Sequence, residues 1–213
     1  MKKLFLLFAL IILVSCSNEV EIPEWKPIHA DNFYRINTAD QWKYYSEHSG
    51  LKIENYKLIN TDNFFALKYY EDLEFGNVSL EAEISISENK PTKGTAGLIN
   101  RFSGNIFAPI QFYFFKLDFQ NNSISIDRFN SNATPNQTSI EKIDYQFSAS
   151  TAYTVLFKVE GNILTATITN KTSEVTTKLT TTVSNPIEKG YVGYFGSLVD
   201  SPIGFDNLII MTK

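Results

Sequence analysis

Along residues 78–86 the chain alternates strictly, with Val78, Leu80, Ala82, Ile84 and Ile86 on one side and Ser79, Glu81, Glu83 and Ser85 on the other. A period of two puts successive side chains on opposite faces of an extended backbone, so the pattern predicts a half-buried strand. Tyr153, Val155, Phe157 and Val159 repeat it. Gly161 and Asn162 then supply turn residues, and residues 163–168 return with Thr165, Thr167 and Thr169 outward, which predicts a hairpin. Further β-rich runs at 96–102, 111–119, 123–129, 175–183, 191–195 and 205–211 are separated by Gly, Asn, Pro and Ser clusters. No stretch beyond the first fifteen residues sustains a helical stripe, so the class is all-β, a sandwich or a barrel. The 17 Phe and 11 Tyr suit it, because rings fill the space between facing sheets.

Residues 111–119 depart from clean alternation. Gln111, Tyr113, Phe115, Leu117 and Phe119 share one side, while Phe112, Phe114, Lys116 and Asp118 share the other. A strand buried on both sides has this composition, and so has one with a ligand-facing aromatic side. Residues 130–139, rich in Asn, Ser and Thr, read as a surface loop.

The start of the chain follows a different logic. Lys2 and Lys3 precede an apolar run over residues 4–14, too short to cross a hydrocarbon core of roughly 30 Å. The run ends in Leu13-Val14-Ser15-Cys16, which resembles the lipobox of bacterial lipoproteins. That resemblance makes residues 1–15 a signal peptide and Cys16 the lipidated residue, carrying palmitate-type chains. Cys16 is also the only cysteine, so an internal disulfide is excluded. Several acyl chains at roughly 0.8 kcal/mol per buried methylene anchor a protein without a transmembrane helix. Ser17 in place of Asp after the cysteine favours the outer membrane, and Glu19 and Glu21 point towards surface display. Residues 16–30, polar and broken by Pro23 and Pro27, read as a flexible tether that leaves Trp25 exposed, and 31–213 as one domain.

Loss of Lys2 and Lys3 with the leader leaves 17 Lys and Arg against 23 Asp and Glu, a net charge of −6. With no basic run, nucleic acid is not an expected partner. His29 and His48 are the only histidines, which removes a zinc site and a histidine-based triad.

The order of short motifs carries more than any one of them. Asn32-Phe33 and Trp42 open the domain; the stretch beginning Phe75-Gly76-Asn77 and running to Ile84 follows; then come Ala96-Gly97-Leu98-Ile99-Asn100-Arg101-Phe102 and the aromatic strand at 112–117. Tyr153 with Val159-Glu160-Gly161-Asn162, Gly190-Tyr191-Val192-Gly193-Tyr194 and Phe205-Asp206-Asn207-Leu208 complete the series. Over residues 31–213 it resembles the concanavalin A-like lectin/glucanase superfamily, in its laminin G-like branch near the 3-keto-disaccharide hydrolase (DUF1080-type) domains. Where those domains carry Asn-Ser-Gly, this chain has Thr95-Ala96-Gly97. The resemblance implies a jelly-roll β-sandwich of two antiparallel sheets with one face open to a saccharide.

Site residues follow from both sources. Glu81 and Glu83 lie two apart on one strand face, roughly 7 Å between Cβ atoms, and are either a solvated sheet face or the acid/base pair of a glycoside-cleaving enzyme. Arg101 shares its phase with Gly97 and Ile99, so its guanidinium is expected beside the glycine gap, contacting a sugar or pairing with Glu81 or Glu83. Tyr113 offers a ring and a hydroxyl, and Gln111 and Glu83 offer hydrogen-bonding groups to a ligand. Asp206 is either a hydrogen-bonding residue or one ligand of a structural calcium ion. The expected function is carbohydrate binding by an envelope lipoprotein. A hydrolase or lyase acting on glycosides, and a structural or protein-binding envelope module, remain the alternatives.

Overall fold

A computed structural model describes residues 24–31, 42–44, 51–54, 57–60, 66–105, 108–197 and 199–213. In chain order the strands are β1 (Lys26–Asp31), β2 (Trp42–Tyr44), β3 (Leu51–Glu54), β4 (Lys57–Asn60), β5 (Ala66–Phe75), β6 (Val78–Ile86), β7 (Thr95–Asn105) and β8 (Ala108–Asp118). They continue with β9 (Ser123–Asn130), β10 (Gln137–Asp144), β11 (Ala152–Glu160), β12 (Ile163–Asn170), β13 (Thr176–Thr182), β14 (Gly190–Ser197) and β15 (Ile203–Thr212). Among the described residues there is no helix.

The strands form two antiparallel sheets. The first runs β13-β12-β11-β6-β15-β4-β3, with β1 also paired to β15, and the second runs β10-β9-β8-β7-β14-β5-β2. Strict alternation in β6 and β11 buries Val78, Leu80, Ala82 and Ile84 against Tyr153, Val155 and Phe157. Across the gap these meet Leu98, Phe115, Leu117 and Tyr194 of the second sheet. Phe115 lies 6.4 Å from Phe157 between ring centroids, and Tyr194 stacks on Phe205 at 5.4 Å. Each large side chain taken fully out of water stabilises the sandwich by about 2–3 kcal/mol. A polar tie crosses the core, where the buried Asn100 side chain donates to the Phe157 carbonyl at 2.8 Å.

Three local expectations change. Lys26–Asp31 is a strand bonded to β15 from Lys26↔Thr212 to Asp31↔Leu208, so ordered structure begins inside the stretch read as tether. Trp25 is half-buried, with the Lys158 and Lys213 ammonium groups 5.2 and 5.6 Å from its ring centroid. The loop read over 130–139 ends earlier, because Gln137–Asp144 pairs with β9. Its polar, weakly alternating sequence carries no strand signal of its own, and the ladder comes from its neighbour. Cys16 and the stretch read as a signal peptide lie outside the described residues.

Candidate functional site

The second sheet has two apolar faces. Tyr113, Phe115 and Leu117 of β8 turn into the sandwich. Phe112 and Phe114, one residue out of phase, join Ile99, Phe102 and Phe195 in a separate cluster on the outer face. Register fixes what lies beside them: Phe112↔Phe129, Phe114↔Asp127, Lys116↔Ser125 and Asp118↔Ser123 between β8 and β9. On the other flank Ile99 faces Phe114, Gly97 faces Lys116, and Thr95 faces Asp118.

The outer face is therefore graded along the strand direction. At one end Phe112 stacks on Phe129 at 4.9 Å, lies 5.9 Å from Phe102, and leads to Phe114, which meets Phe195 edge-on at 5.2 Å. These rings floor a groove of about 440 Å³ that also touches Lys116, Gln137, Thr95 and Ser197. Midway, the Lys116 ammonium sits 3.0 Å from the Asp127 carboxylate, which also accepts from Gln137 Nε2 at 2.8 Å and Ser139 Oγ at 2.9 Å. Asp127 is fully buried, and these three partners are what make a charge there tolerable. Beside them Ser125 and Ser123 are buried, and among the described residues their hydroxyls have no hydrogen-bond partner.

Thr95 and Ser197 are shared with a second, polar groove of about 510 Å³ lined by Lys93, Asp118, Gln120, Asn121 and Asp200. Asp118 accepts from the Asn121 amide at 3.0 Å and from its side-chain nitrogen at 2.9 Å. The Thr92 hydroxyl donates to Asp200 at 2.6 Å, with the Thr92 and Lys93 amides at 2.9 and 3.2 Å. The Thr92 hydroxyl first, and the two amides behind it, hold the Asp200 carboxyl below its ordinary value.

The residues expected from sequence are dispersed. Arg101 is 2% exposed. It does not stand beside Gly97, because its φ of +53° and a bulge between Asn100 and Ser103 shift the phase. Its guanidinium instead donates from Nε to the Gly76 carbonyl at 2.8 Å and from one terminal nitrogen to the Ile187 carbonyl at 2.5 Å. Burial pushes its pKa down from the usual arginine value. Tyr113 is likewise enclosed, its hydroxyl accepting from the Ile187 amide at 2.9 Å. Gln111 sits at the start of the same strand and accepts from Arg128 at 3.3 Å.

Glu81 and Glu83 project from the first sheet, away from the graded face. Glu83 is paired with Lys171 and lies in register with Asp206. Asp206 accepts from the next backbone amide, that of Asn207, at 2.8 Å. Among the described residues no three His, Cys, Asp or Glu side chains are grouped to hold a metal ion. The structure thus brings together Phe102, Phe112, Phe114, Phe129, Phe195 and Lys116, none of which the sequence reading singled out as ligand contacts. The available signal was the aromatic second face of residues 111–119.

Comparison with solved structures addresses the architecture. The chain superposes on the carbohydrate-binding module CBM66 from Bacillus subtilis with a TM-score of 0.62 and 13% identity, covering 81% of this chain and 96% of that one. It also superposes on basic winged bean lectin solved with Tn-antigen, with a TM-score of 0.65 and 14% identity over 88% and 99% of the two chains. The fold is the concanavalin A-like jelly roll. A third jelly roll, lectin I from Ulex europaeus in complex with the methyl glycoside of α-L-fucose, gives 0.63 and 12% over 87% and 97%. No family model and no curated protein matches the sequence.

Proposed function

We propose that the protein binds carbohydrate on the outer face of its second sheet, as a lipoprotein of the bacterial envelope that takes part in glycan capture or breakdown. The observation that carries this reading is the graded groove, where phenyl rings lie next to buried, oriented polar groups. Sugars need both, since the C–H faces of a pyranose pack on rings while its hydroxyls take hydrogen bonds from fixed donors and acceptors. The neighbours on this fold include a carbohydrate-binding module and lectins solved with sugar ligands, which supports the same ligand class. The order of the sequence motifs supports the finer placement in the laminin G-like branch. The lipobox ending in Cys16 supports the anchor, and Ser17 supports the outer membrane.

The test is a glycan-array screen of the mature chain from Ser17 onward, followed by mass spectrometry of any hit after incubation. A hit whose binding falls at least tenfold in Phe114→Ala, with no product formed, is the expected result. Cleavage of a hit would move the function to a glycoside hydrolase. Silence from a folded sample would overturn the carbohydrate reading in favour of a protein-binding module. Loss of the protein from the membrane fraction in Cys16→Ala checks the anchor.

A further inference from the structure

The groove is more apolar than a free sugar requires. Five phenylalanines, Phe102, Phe112, Phe114, Phe129 and Phe195, line the 440 Å³ cavity, with Phe195 in the row of Lys116 and the others towards the far end. Phe112 and Phe114 are only 4% and 5% exposed although they face away from the sandwich core. A pyranose can cover one or two rings with C–H groups, but its hydroxyls, which ring the molecule, would lose water against the rest without gaining partners. Gln137 stands beside Phe129, and the other polar groups lie further along the strands: Lys116, Thr95 and Ser197, and then Asp118, Asn121 and Asp200 in the adjoining groove. The grading is set by backbone register, one pair of residues after another, so it belongs to the sheet itself.

We infer that the ligand is a glycoside bearing an apolar chain, with the chain on the floor of Phe102, Phe112 and Phe129 and the sugar against Phe114 and over Lys116, Thr95, Ser197 and the polar groove beyond. This rests on the carbohydrate reading above and adds the second half of the molecule. A linear alkyl or acyl chain fits the rings because each methylene moved out of water strengthens binding about fourfold. The 440 Å³ cavity is large enough for several of them. The buried Ser123 and Ser125 hydroxyls, unpartnered among the described residues and opposite Asp118 and Lys116, lie where the polar portion begins. No covalent step is involved.

The experiment is calorimetric titration of the mature chain from Ser17 onward, which keeps every described strand, with matched pairs of methyl and octyl β-glycosides of glucose, galactose, mannose and fucose. Octanoate serves as the sugar-free probe, and all ligands are held below their micellar range. The expected result is one sugar whose octyl glycoside binds at least thirtyfold more tightly than its methyl glycoside, with octanoate at least tenfold weaker than the octyl glycoside. In Phe112→Ala the octyl advantage should shrink at least tenfold. Phe112→Leu, which keeps an apolar side chain, should retain most of the advantage, and thermal unfolding of both variants checks that they fold. Equal affinity for methyl and octyl forms would overturn the inference and leave the carbohydrate reading standing. Octanoate binding as tightly as the octyl glycosides would overturn it in favour of a lipid site indifferent to sugar. No binding of any probe would overturn both.

Discussion

The Lys116 ammonium and the Asp127 carboxylate meet at 3.0 Å on adjacent strands of the outer face, with the Asp127 side chain 1% and the Lys116 side chain 15% exposed. Lys116 also stands 4.0 Å from Asp118, and Gln137 and Ser139 complete the shell around Asp127. The pair marks the point at which the aromatic floor gives way to polar surface, and it ties β8, β9 and β10 together.

Removing one member of such a pair costs more than replacing both, because the survivor stays buried without its partner. Asp127→Ala is expected to lower unfolding free energy by about 3 kcal/mol, and the double variant Lys116→Met with Asp127→Leu to recover at least half of that. Urea unfolding of the three proteins measures it. A double variant no more stable than Asp127→Ala would show that the two charges act independently.

Arg101 is expected to separate stability from binding. Arg101→Lys cannot reach both the Gly76 and Ile187 carbonyls with one ammonium in the same geometry, so it leaves a buried acceptor unpaired. A loss of about 2 kcal/mol in denaturant unfolding is expected, with ligand affinity unchanged within twofold. A large loss of affinity in a stable Arg101→Lys protein would put the guanidinium back in the ligand site.

Gly190 lets β14 approach the bulge at Arg101 and Phe102. A Cβ there would stand 2.4 Å from the Phe102 carbonyl oxygen and 2.6 Å from the Arg101 carbonyl carbon, both of them backbone atoms that cannot swing aside. Gly190→Ala is expected to destabilise by about 2–3 kcal/mol through overpacking, read as a lower melting temperature. Wild-type stability in this variant would mean that the two strands can separate there at no cost.

Asp200 carries a pH signature. Its folded-state pKa lies below the ordinary 3.8, so the folded state holds the carboxylate more favourably than the unfolded chain does. The resulting stability is present above the unfolded value and is lost as pH falls through the lower, folded one. Carbon-13 titration should show its carboxyl titrating below 3.8. Asp200→Asn should flatten part of the loss of stability below about pH 4. The group is exposed, so the effect is small, and its location at the rim of the polar groove is the reason to measure it.

Glu83→Gln tests the other sheet. Its partner Lys171 is half-exposed, so the loss in stability should stay under about 1 kcal/mol, with no change in ligand affinity. Reduced binding in this variant would bring the first sheet into the site.

What could be read from the chain alone was whatever depends on neighbours in sequence. Alternation over residues 78–86 and 153–159 set the half-buried strands β6 and β11, and the turn at Gly161-Asn162 set the hairpin of β11 and β12, because side-chain direction along a strand follows from the backbone itself. Where the pattern weakened, tertiary partners decided. Lys26–Asp31 and Gln137–Asp144 are strands because β15 and β9 offer them open ladders. Arg101 left its expected face because one bulge shifts the phase of everything after it, and a shift of one residue exchanges inside for outside. The two aromatic sides of β8 were visible in the sequence, but which one met the core was not. Both carry rings, and only the docking of the first sheet put Tyr113 inside and left Phe112 and Phe114 to floor a groove with Phe102, Phe129 and Phe195, residues contributed by three other strands.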